Sequence, residues 1–101
     1  MLAQISCFPT DKGASVSEYV AGSIKIIRAS GLDYKTGAMS TTIEGEPAEV
    51  FALIKKIHMS MRKKSGRVYT SIVIDDRVGA KNRLEGKIRS LEKKLGRKVK
   101  K

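Results

Sequence analysis

One cysteine, one histidine and no tryptophan leave this 101-residue chain short of the groups around which small proteins build chemistry. Cys7 has no second cysteine for an intrachain disulfide, and one Cys with one His falls short of a tetrahedral zinc site. No run approaches the roughly 18 apolar residues of a membrane span. The first nine residues lack the basic start and apolar stretch of a secretory signal. A cytoplasmic chain is expected, with no metal, no required cofactor and no membrane contact. There is no glycine-rich phosphate loop and no paired-carboxylate arrangement, and no Ser or Cys nucleophile forms a set with His58. His58 is expected to be an exposed structural residue, and the protein to be non-catalytic.

What the chain has in excess is positive charge, +11 in all. Residues 1–80 carry 11 Lys/Arg against 8 Asp/Glu, whereas residues 81–101 carry 10 against 2. The excess therefore belongs mostly to the C-terminal segment. Such a segment attracts polyanions, nucleic acid included, or is simply a solvated basic tail.

Residues 2–8 alternate as a half-buried strand, with Ala3, Ile5 and Cys7 toward one face and Gln4, Ser6 and Phe8 toward the other. Pro9, Asp11 and Gly13 are turn chemistry. Ser15 or Ser17 is expected to cap a first helix, in which Val16, Val20, Ile24 and Ile27 form a core-facing stripe, and Gly31 to end it. Residues 32–45 read as two short strands joined around Gly37–Ser40. A second helix opens near Pro47, where a missing N–H costs nothing, and faces the core with Val50, Ile54, Ile57 and Met61. Residues 68–74 are the clearest strand, with Thr70, Ile72 and Ile74 on one face and Tyr69, Ser71 and Val73 on the other. The Asp75–Asp76–Arg77 stretch reads as a turn with a local ion pair. Leu84, Ile88, Leu91 and Leu95 mark a third, amphipathic helix.

The order βαββαβ plus an extra helix predicts an α+β, ferredoxin-like sandwich: a four-stranded antiparallel sheet with two helices on one face. One domain is expected over residues 1–96, with 97–101 a basic tail. The opposite face would be bare, carrying Gln4, Ser6, Phe8, Tyr69, Ser71 and Val73. That mixture of apolar and hydroxyl groups suits a subunit interface, a ligand pocket or both.

Three stretches carry a resemblance. They are Ser17-Glu18-Tyr19-Val20-Ala21, then Gly37-Ala38-Met39-Ser40-Thr41-Thr42-Ile43-Glu44-Gly45, then Ser71-Ile72-Val73-Ile74-Asp75-Asp76-Arg77 with the following Glu85-Gly86-Lys87. In this order and spacing the chain resembles the thiamine-binding protein family, from the first strand to about Leu95. The resemblance implies a ferredoxin-like fold, thiamine or its hydroxymethylpyrimidine moiety as ligand, and assembly as a dimer of dimers.

Thiamine carries a cationic thiazolium, which a +11 chain repels at long range. Binding then needs a carboxylate, Glu44 or Asp75, and an aromatic face from Tyr34, Tyr69 or Phe8. Ser6, Thr36, Thr41 and Ser71 are candidates for the edge of the pyrimidine, and Met39 for a flexible pocket wall. The alternative is a nucleic-acid-binding or protein-interaction module using the third helix and tail. Against base stacking, the bare face offers only Tyr69 and Phe8.

Overall fold

The computed structural model describes residues 1–14 and 16–100. The elements are β1 (Leu2–Pro9), α1 (Ser17–Ser30), β2 (Asp33–Thr36), β3 (Thr41–Glu44), α2 (Pro47–Arg62), β4 (Val68–Asp75) and α3 (Arg83–Leu95). The strands form one antiparallel sheet in the order β2-β3-β1-β4, the expected ferredoxin-like arrangement.

Alternation along β1 sends Ala3, Ile5 and Cys7 into the core, where they meet Ile43 of β3 and Ile27 of α1. α2 contributes Val50, Leu53, Ile54, Ile57 and Met61, all buried, so its apolar stripe is as the spacing predicts. Pro47 occupies its first turn. α1 closes at Gly31, whose φ of 77° is a left-handed conformation natural to glycine.

α1 departs from expectation at its start. Val16 precedes the helix and Ser17 is its first residue, with no side-chain cap; Ser15 lies outside the described residues. Of the expected stripe only Ile27 is fully buried, and Val20 is 37% exposed. The reason is local, because the N-terminal half of α1 overlies a cavity and not closed core.

The loop after β1 is tied to the α2–β4 turn. Asp11 accepts hydrogen bonds from the Ser65 hydroxyl and the Gly66 N–H. The Ser65 bond above all, then that from Gly66, holds the Asp11 carboxyl below the usual carboxylate range.

The faces of β4 stand as read, but one further expectation needs correction. Thr70, Ile72 and Ile74 do face the helix side, since they oppose Cys7, Ile5 and Ala3. Yet Ile72 and Ile74 are 42% and 40% exposed, because β4 is an edge strand and the helical layer stops short of it. The face opposite α1 and α2 is not bare. α3 lies over part of it, with Leu84 and Ile88 lining a cavity shared with Leu2, Gln4, Thr42 and Val73.

Candidate functional site

β3 pairs with β1 only from Leu2 to Ile5, whereas β4 follows β1 all the way to Pro9. On the β3 side, the edge of residues 6–8 therefore has no strand partner. Beyond Thr41 the chain turns away through the 37–40 hairpin, closed by a 2.8 Å bond from the Gly37 N–H to the Ser40 carbonyl. This mismatch in strand length opens a gap beside β1, and α1 passes over it.

The gap is a cavity of about 240 Å³. Ile5, Cys7, Ile27 and Ile57 form its apolar floor, Val20, Ser23 and Ile24 its α1 wall, and the hairpin its far side. Five of the eight expected site residues border it: Ser6, Phe8, Thr36, Met39 and Thr41. The Thr41 hydroxyl lies 3.5 Å from that of Thr36. Gln4 donates a 2.7 Å bond to the Ser40 hydroxyl, tying the hairpin to β1 from the open side. Met39 is 87% exposed at the hairpin tip, where it overhangs the cavity. Among the described residues no charged side chain lines the space. Sequence reasoning missed the α1 wall. Its one signal was Ser23, a hydroxyl set beside the apolar Val20–Ile24–Ile27 stripe.

The other three expected residues lie elsewhere. Ser71 opposes Ser6, and Tyr69 stacks on Phe8 with ring centroids 5.4 Å apart, all on the open face. The two rings thus cover one another. Glu44 is not a free counter-charge. Its carboxylate accepts the backbone N–H groups of Arg83 at 2.7 Å and Leu84 at 3.1 Å, the first turn of α3. Asn82 before them supplies no side-chain cap, so Glu44 from β3 takes that part.

Two ion pairs orient the same helix. Glu85 meets Lys35 of β2 and Lys87 meets Asp75 of β4. Arg77 of the same turn adds a weaker attraction to Asp75 than Lys87 does. The Lys87 hydrogen bond is the main reason that the Asp75 carboxyl is held below its ordinary range. Beneath α3 lies a more open space of about 410 Å³ rimmed by Lys35, Asp75, Arg83 and Lys87. Glu44→Gln should weaken α3 docking by roughly 1.5–3 kcal/mol, the usual worth of a hydrogen bond to a charged group. Hydrogen exchange at the Arg83 and Leu84 amides reads this directly. Unchanged protection there would mean that the carboxylate does not hold the helix.

His58 is half-buried, not exposed, with Nδ1 2.8 Å from the Thr70 hydroxyl oxygen. Thr70 in turn donates to the Cys7 sulfur at 3.2 Å. Burial pushes the Cys7 thiol up, against a smaller opposing effect of that hydrogen bond. The arrangement stabilises a thiol and not a reactive thiolate.

The family model described as thiamine-binding protein matches residues 3–92. The chain belongs to this family. It is similar to the UPF0045 protein YqgV of Bacillus subtilis, 45% identical over 86 residues, covering 80% of this chain and 83% of that one. The UPF0045 protein MJ1052 of Methanocaldococcus jannaschii is 34% identical over 91 residues, covering 90% and 91%. The crystal structure of MJ1052 superposes with a TM-score of 0.83 over 89% of this chain and 93% of that one. TM0486 of Thermotoga maritima shares the fold, with a TM-score of 0.79 at 23% identity over 89% and 96%. Among the described residues no helix is long and apolar enough to cross a membrane.

Proposed function

We propose that the protein is a non-catalytic, cytoplasmic small-molecule binder that works as a homo-oligomer. It takes one uncharged heteroaromatic ring, such as the aminopyrimidine of thiamine or free hydroxymethylpyrimidine, into the cavity between α1, β1 and the hairpin. The observation that carries this reading is the lining. It is apolar, free of charge and provided with a few hydroxyls and an unpaired strand edge. Its volume, about 240 Å³, falls below the roughly 300–1,000 Å³ of drug-sized pockets and suits a single ring.

An apolar space disfavours the thiazolium and any phosphate, which would stay outside near the exposed Met39. The +11 charge then repels thiamine without affecting the neutral pyrimidine, while a phosphate ester regains attraction. The family description supports a thiamine-related ligand, and the Thermotoga protein of the same fold carries a provisional thiamine biosynthesis/salvage name.

Calorimetric titration with hydroxymethylpyrimidine, thiamine and thiamine phosphate near 0.15 M salt tests the proposal, since salt at that level screens the diffuse pull of the tail. Binding of hydroxymethylpyrimidine at least as tight as that of thiamine is expected. A second reading, polyanion contact, rests on the 10 cations against 2 acids in residues 81–101. Silence with all three compounds, beside salt-dependent binding of a DNA duplex, would replace the first reading by the second.

A further inference from the structure

The space beneath α3 differs from the cavity beside α1 in size and in charge. Its volume is about 410 Å³ against 240 Å³, inside the roughly 300–1,000 Å³ of ligand pockets. Strand register builds its floor. Lys35, Thr42, Gln4 and Val73 stand in one row across all four strands, and Leu2 lies in the next row between Glu44 and Asp75. Leu84 and Ile88 of α3 roof the apolar part of this floor, Leu2 and Val73. The roof does not close on it. Among the described residues none in α3 is buried, and the ties from Glu44, Lys35 and Asp75 reach only residues 83–87. Charge sits at the mouth, where Lys35, Arg83 and Lys87 face a single carboxylate, Asp75. Two of these cations are already answered, Lys35 by Glu85 and Lys87 by Asp75. Arg83 is not. Among the described residues its guanidinium has neither an ion pair nor a hydrogen bond, and it feels Asp75 only through space.

We infer that this space is a second binding site, for a small amphiphile with an apolar body and one carboxylate head. The body lies on Leu2 and Val73 beneath Leu84 and Ile88, where its apolar surface leaves water. The head meets Arg83, whose planar fork pairs with a carboxylate through two parallel hydrogen bonds. One unanswered cation calls for one negative charge. A phosphate monoester brings a second, which Asp75 at the same mouth repels. Charge also keeps the two sites apart. Among the described residues no charged side chain lines the first space, so it suits an uncharged ring, whereas the net charge of +11 draws an anion to the second. The carboxylate site is independent of the one proposed for the ring.

Octanoate is the probe, with octanol as its uncharged counterpart. Backbone amide shifts during titration should saturate at Leu2, Thr42, Val73 and Ile88 with both compounds, octanoate binding the tighter. Arg83→Gln should weaken octanoate about tenfold or more, as expected for losing hydrogen bonds to a charged group, and leave octanol affinity unchanged. The Arg83 side chain makes no tie within the fold, so this variant should keep the wild-type melting temperature. Ser23→Phe, which fills the first space, should leave octanoate affinity unchanged. Octyl phosphate should bind more weakly than octanoate, and the opposite order would overturn the choice of head. No saturable shift with octanoate, or equal octanoate affinity in wild type and Arg83→Gln, would overturn the site. Shifts at Ser6, Ser23 and Thr41 that vanish in Ser23→Phe would overturn it too, by placing octanoate beside α1.

Discussion

Ile43→Ala is expected to destabilise the fold by roughly 2–5 kcal/mol, the range for truncating a fully buried isoleucine. Ile43 has no exposed surface and stands at the centre of β3, opposite Ala3 on one side and Tyr34 on the other. The void would open inside a core shared by the sheet, α1 and α2, where neighbours are held by strand pairing and collapse only in part. A domain of this length has about 5–15 kcal/mol of stability in all. The loss therefore corresponds to a fall in melting temperature of about 10 °C or more. Val78→Ala, at the 98% exposed position, should stay within about 0.5 kcal/mol. Urea melts of both variants at one protein concentration give the comparison. A loss under 1 kcal/mol at Ile43 would mean that the core is not where the sheet places it.

The second large effect is expected at the cavity. Ser23→Phe adds a ring to the α1 wall, pointing it into a space that holds no protein atoms. Overpacking costs stability in a filled core, but here the ring has room, so the melting temperature should change little. Ligand affinity should fall at least tenfold, because the added ring occupies the volume that the ligand needs. Glu44→Gln, at the foot of α3, should leave affinity within a factor of two. The reverse pattern, with Ser23→Phe silent and Glu44→Gln disabling, would move the site to the space beneath α3.

The parts of this structure legible in the sequence are those governed by local periodicity. Val50, Ile54, Ile57 and Met61 recur at helical spacing and all are buried. Alternation assigned the two faces of β1 and β4, and those faces stand as read. Strand order was less visible. Nothing local in Ile72 or Ile74 says that they sit at an edge beyond the reach of the helices. Only the topology β2-β3-β1-β4 does.

The role of Glu44 was hidden for the same reason. Its partners, the amides of Arg83 and Leu84, lie about 40 residues away in sequence. A carboxylate beside a turn reads alike whether it awaits a ligand or a helix end. The site was half legible. Thr36, Thr41 and Met39 were candidates from the hairpin sequence, and all three border the cavity. The cavity itself comes from β1 outrunning β3, a mismatch in pairing that composition and periodicity do not encode.

The proposed site for the ring lies between α1 and the hairpin. Its most direct test is to follow backbone amide shifts during the hydroxymethylpyrimidine titration. Saturable shifts are expected at Ser6, Ser23, Gly37, Ala38 and Thr41, with Tyr69, Ser71 and the amides of α3 nearly still. Shifts confined to Tyr69, Ser71 and α3, with the hairpin unmoved, would contradict it.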